Sequence, residues 1–146
     1  MSKYKDSNEP KKYFDLHTTG FGYANRMREV KMRGQGFWAV DISALRGNSD
    51  DAQYTKFDTR ISGREALEVL TRFKADIDAK KKVLVGFRIG DIYPETFIFE
   101  KGEKAGQTGV VLKGRLLQVA WVKVDGKMLY TAKENDQAAD ALAKAA

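Results

Sequence analysis

The sequence predicts a mainly β domain: a five-stranded barrel with one α-helix between strands 3 and 4 and an extended β-hairpin arm. Three observations carry this. Several short stretches alternate apolar with polar residues, the period of half-buried strands. One stretch only, directly after such a strand, switches to helical spacing. Glycine-rich and Asp-Gly segments punctuate the rest as turns.

Size and composition fit that reading. The chain has 146 residues, suited to one domain with one core. Apolar residues make up 42% and charged residues 32%, a balance expected of a soluble folded protein rather than a disordered one. No apolar run reaches the length a bilayer span requires. The opening MSKYKDSNEPKK lacks the apolar core of a secretory signal. Cysteine is absent, which removes disulfides, thiolate metal sites and cysteine nucleophiles and fits a cytoplasmic location. Lys and Arg outnumber Asp and Glu by 26 to 20, a net charge of +6 that favours polyanionic partners such as nucleic acid.

In chain order, residues 1–12 form a disordered, basic lead-in, and the domain proper covers 13–130. A first strand is expected over Gly22 to Lys31, with a bulge near the glycines. Gly34-Gln35-Gly36 turns the chain into a second strand, 37–45, where Trp38, Val40, Ile42 and Ala44 share an apolar face. A polar loop, 46–53, leads to the stretch YTKFDTRISGREALEVLTRF (54–73). Phe57, Thr59 and Ile61 face one way; Lys56, Asp58, Arg60 and Ser62 face the other. Ser62 and Glu65 form the S-x-x-E pattern of a capping box. Ala66, Val69, Leu70, Phe73 and Ile77 then make one stripe on a helix over 64–80, and Lys80 to Lys82 end it where the helix dipole favours cations. A strand follows at 83–91, and 96–100 continues it or re-forms a strand after Pro94. The loop 100–109 precedes a long strand, 110–124, and Asp125-Gly126 closes a tight hairpin with 127–130. The alanine-rich tail, 131–146, is a weak helix or frays.

The order β-β-β-α-β-β is that of the OB-fold, a five-stranded Greek-key barrel that commonly binds oligonucleotides or oligosaccharides. It accounts for the abrupt passage at Ser62 and Gly63, because the helix that plugs the barrel must follow strand three at once.

The segment YTKFDTRISGREALEVLTRFKADIDAKKKVLVGFRIGDIYPE resembles the central part of bacterial single-stranded DNA-binding proteins, through Gly63, the helix, Gly86 and Tyr93. VAWVKVDGKMLY is similar to that family's last strand and turn. The chain resembles more closely a family of short, replication-associated proteins of integrative and conjugative elements, through YFDLHTTGFGYANRMREV, DISAL, YTKFDTRISG, KKKVLVGFRIGD and EKGEKAGQTGV. The resemblance implies a role in maintaining a mobile element's DNA. Two departures stand out. Lys56 and Ser62 occupy positions where single-stranded-DNA binders often carry aromatics, and the chain ends QAADALAKAA rather than in an acidic tail.

Single strands are held by cations along the backbone and by aromatics on which bases stack. The candidates are Arg26, Arg28, Lys31 and Arg33 on strand one and its turn, and Tyr54, Lys56 and Arg60 on strand three. Arg88 and Tyr93 follow on strand four, and Lys113 and Arg115 on the late strand. Each taken singly reads as a solvated charge or surface ring; the set, on this fold, reads as a binding face. Trp38 and Trp121 share parity with core residues and are read as core. Phe97 and Phe99, on the arm, suit an oligomer contact or a base equally.

Enzyme readings find little support. His17 is the lone histidine, so one chain forms neither a His-based metal cluster nor an ordinary triad. Asp50-Asp51 reads as a solvated turn, and Asp41 and Asp58 as acids that balance nearby Arg and Lys. GEKAGQT (102–108) misses the phosphate-loop spacing and its lysine. The expected function is therefore single-stranded DNA binding, largely independent of sequence, with no enzyme activity, cofactor, metal or membrane. The alternative is an OB-fold interaction module for replication or conjugation proteins. Homo-oligomers are expected in either case.

Overall fold

The computed structural model describes residues 13–132. The basic lead-in expected at 1–12, and all of the alanine-rich tail beyond residue 132, lie outside the described residues.

The elements are β1 (His17–Val30), β2 (Phe37–Arg46), a 3-10 turn (Ser49–Asp51), β3 (Gln53–Ile61), α1 (Arg64–Arg72), α2 (Lys74–Asp78), β4 (Val83–Ile98), β5 (Thr108–Val124) and β6 (Lys127–Thr131). The strands lie in the order β3-β2-β1-β4-β5-β6, and β3 also pairs with β5 in parallel. That seam closes β1 to β5 into a five-stranded barrel of the OB-fold type.

Alternation places the core as expected. Val40, Ile42 and Ala44 from β2 and Phe57 and Ile61 from β3 point inward. So do Val83, Val85, Phe87 and Ile89 from β4. Ala66, Val69, Leu70, Phe73 and Ile77 join them from the helices. Each large side chain so buried contributes about 1.5–3 kcal/mol. Thr59, also inward, satisfies its hydroxyl by donating to the Val40 carbonyl at 2.8 Å. Trp38 is partly buried against this core.

Three expectations need correction. The single helix over 64–80 is two helices, broken at Phe73, whose backbone leaves the helical region (φ −107°, ψ 10°). The capping box does not form. Gly63 is the N-cap of α1 without a side-chain cap bond. The Ser62 hydroxyl instead accepts from Arg115 Nε at 3.0 Å, and the Ser62 N–H donates to the Leu116 carbonyl at 2.9 Å. The strand-to-helix junction is thus pinned to β5, which a local motif cannot reveal. β1 starts at His17, and its bulge lies between Asn25 and Arg28, with Arg26 at φ +51°, rather than at the glycines. Of the two expectations for the stretch after Pro94, the continuing strand is the one found: β4 runs unbroken through Pro94. Beyond Gly90 the strand no longer pairs with β1, so the missing N–H of Pro94 falls on a free edge. Tyr93–Ile98 pairs with Thr108–Lys113; Lys113 and Leu112 still pair with β3, and the ribbon of Glu95–Ile98 and Thr108–Val111 beyond them forms the arm.

Trp121 is buried, as expected of a core residue, but on the other face. The β4–β5 register slips at Gly86/Phe87 and again at Arg88/Ile89. Each slip turns successive side chains over. Val119 and Val122 therefore both face the core, and Trp121 lies over Gly86 on the outside, its ring 5.8 Å from that of Phe21. A Cβ at position 86 would sit 2.3 Å from the indole Nε1, so only glycine fits. The Asp125-Gly126 turn forms as expected, both residues having positive φ. Among the described residues, no helix is long and apolar enough to cross a membrane.

Candidate nucleic-acid interface

The outward positions of β1, β2 and β3 fall into register across the sheet. Tyr23, Ser43 and Lys56 form one row; Asn25, Asp41 and Asp58 the next; Arg28, Ala39 and Arg60 a third. The β3–β5 seam extends two of these rows, placing Lys113 beside Asp58 and Arg115 beside Arg60. Tyr93 then stands opposite Lys113. Residues from five strands meet on one face because the barrel closes there.

An ion-pair chain crosses this face. Asp41, 3% exposed at its side chain, takes Arg26 Nε at 2.8 Å, Arg28 Nη1 at 3.1 Å and Lys56 Nζ at 3.5 Å. Arg28 reaches on to Asp58 at 2.8 Å, and Lys113 Nζ lies 3.5 Å from the same carboxylate. Arg115 Nη1 donates to Asp91 at 2.9 Å. Burial alone would raise the Asp41 carboxyl; the hydrogen bond from Arg26 and the charges of Arg28, Arg26 and Lys56 outweigh it and hold it below its ordinary value. The same hydrogen bond holds the Arg26 guanidinium above its own. Asp41 and Asp58 are cross-strand neighbours balanced by cations, as their sequence setting suggested.

Four hollows string together along this face. The first, about 330 Å³, is lined by Arg28, Phe37, Arg60, Tyr93, Lys113 and Arg115, with Asp58 and Asp91. The Arg28–Asp41 ion pair stands between it and a second, lined by Arg26, Lys56 and Lys80. Asn25, Ser43 and Lys80 are shared with a third, where Tyr23 and Tyr54 pack at 6.4 Å between ring centres beside Lys81 and Lys82. Tyr23 and Lys82 are shared with a fourth, which adds Lys123. From Tyr54 to Arg60 the furrow follows β3 for about 20 Å at the strand rise.

Eight of the eleven residues singled out from sequence line this furrow: Arg26, Arg28, Tyr54, Lys56, Arg60, Tyr93, Lys113 and Arg115. The other three line none of these hollows. Lys31 and Arg33 lie in the β1–β2 connection, Lys31 beside Glu29 at 3.8 Å. Arg88 stands on β4 between Thr19 and Gln118. Phe37, Tyr23 and Lys80 to Lys82 were missed. Phe37 carries the Arg60 guanidinium 4.5 Å above its ring. Lys80, at φ +64°, turns the chain away from α2 and brings the lysines beside Tyr23 and Tyr54. The adjacent run of three lysines was the available signal. Among the described residues, no cluster of His, Cys, Asp and Glu could hold a metal ion.

Residues 7–138 match a family model described as "Protein of unknown function (DUF3577)". No curated protein and no solved structure matches the chain.

Proposed function

The chain belongs to the DUF3577 family of proteins of unknown function, and we propose from the geometry above that it binds single-stranded DNA, largely without regard to sequence. One observation carries the reading: a row of hollows on one face, lined by cations throughout and by aromatic rings at both ends. Tyr93 and the Phe37–Arg60 stack lie at one end, Tyr23 and Tyr54 at the other, with Arg26, Lys56 and the lysine run between and beyond. Rings accept bases by stacking, at about 1–3 kcal/mol each, and the cations follow the phosphates. Replication or transfer of a mobile element's DNA is the setting that the sequence resemblance suggests.

Salt tests this directly. Three to five neutralised phosphates give a slope of roughly −2 to −3.5 in log K against log salt for a single strand. Anisotropy of labelled oligo-dT across a salt series measures it. Undetectable or salt-insensitive binding would defeat the reading.

A second reading, a protein-interaction module that touches DNA weakly, draws on the arm. Phe97, Ile98 and Val110 are exposed there, and its strands have open edges beyond the barrel. A two-stranded ribbon is marginal by itself, which favours self-association or a replication or conjugation protein as its cover. Micromolar DNA affinity beside tight protein binding would select this reading.

A further inference from the structure

We propose that the first hollow is a base-reading pocket selective for guanine, an inference that rests on the single-strand binding proposed above. Simple backbone tracking needs cations and a stacking ring. This hollow holds more: two carboxylates, Asp58 and Asp91, stand among its cations. Carboxylates repel phosphate but accept hydrogen bonds from the N–H edge of a base.

The geometry separates the two kinds of partner. Arg60 stands on β3, its guanidinium backed by the Phe37 ring at 4.5 Å and, among the described residues, engaged in no hydrogen bond or ion pair. Asp91 stands on β4, across β5, so two strand spacings, about 10 Å, separate the two backbones. Arg115, between them, donates to Asp91 Oδ2 at 2.9 Å, which fixes the carboxylate and leaves Oδ1 without a hydrogen bond among the described residues. Tyr93, half exposed, supplies a stacking face on the same hollow.

Guanine matches both sides at once. Its O6 and N7 accept from an arginine fork, the commonest base contact such a fork makes. Its N1–H and N2–H₂, on another edge, donate to a carboxylate. Thymine offers a single N–H between two carbonyls. Adenine offers its amino group beside acceptors, and cytosine lacks a paired donor edge. Guanine alone presents two neighbouring acceptors and two neighbouring donors.

The test uses the full chain and twelve-nucleotide oligo-dT strands that differ at one central position, so that guanine self-pairing does not intrude. The strand with one dG should bind about tenfold tighter than all-dT, within the range for a good bidentate base contact. Deoxyinosine, which lacks the N2 amino group, should lose much of that gain. Asp91→Asn should bring the dG-to-dT ratio close to one. Asp91 has φ +58°, which asparagine tolerates, so the variant keeps its backbone. Binding of all-dT with equal affinity for all four central bases overturns the pocket and leaves the general reading standing. Absence of any strand binding overturns both.

Discussion

Replacing Asp41 by asparagine should pull stability and DNA binding in opposite directions. The carboxylate is almost wholly buried and is the common partner of Arg26, Arg28 and Lys56, at 2.8, 3.1 and 3.5 Å. Asparagine keeps the shape and removes the charge, leaving three cations facing one another. Breaking a fully buried pair costs about 3–5 kcal/mol. Here the cations are 60%, 23% and 61% exposed, so solvent screens much of that. A loss of about 1–3 kcal/mol remains, roughly 4–12 °C in melting temperature for a domain of this size. The pH dependence follows from the lowered Asp41 value. A carboxyl whose folded value lies below its unfolded one stabilises fully above the unfolded value, near 3.8, and loses that stabilisation as pH falls through the folded value. Urea midpoints should therefore differ most above about pH 5 and draw together as pH falls below the ordinary carboxylate value and through the lowered one of Asp41. Oligo-dT binding should hold or strengthen at low salt, with a steeper salt slope, because the furrow gains one positive charge and frees its arginines. Equal midpoints at neutral pH, or a gap that does not narrow in acid, would refute the account of Asp41 as a buried counter-charge.

Gly86→Ala places a Cβ 2.3 Å from Nε1 of the fully buried Trp121. The urea midpoint should fall by the equivalent of about 1–3 kcal/mol with an unchanged m-value. Arg60→Ala removes a guanidinium that, among the described residues, is held by the Phe37 ring, so stability should drop by no more than about 0.5–1 kcal/mol. Single-strand affinity should fall several-fold, read by anisotropy beside a thermal melt. A collapse in melting temperature would mark Arg60 as structural.

The barrel was legible because β2 and β3 keep a strict period. Phe57, Thr59 and Ile61 face the core in the structure as their alternation requires. Trp121 was not, because its face depends on two register slips set by pairing with β4. Ser62 misled for a similar reason: its hydroxyl serves Arg115, far along the chain, rather than the helix that follows it. For the furrow, outward parity identified Lys56 and Arg60. It could not show that Asp41 would be sealed beneath three cations. Nor could it show that Lys80 to Lys82, read as a helix ending, would turn back beside two tyrosines. Both depend on contacts between elements that no local pattern encodes.

The parallel β3–β5 seam joins segments from distant parts of the chain. Such non-local pairing forms slowly, because the intervening polypeptide must be ordered before the two strands meet. Arg60 and Arg115, and likewise Asp58 and Lys113, become neighbours only across that seam. A folding intermediate that still lacks it has the strands but not the cleft. Any transient unzipping of the mature domain along that line would open the first hollow in one step and leave the hollows beside Tyr23, Tyr54 and Lys56 in place.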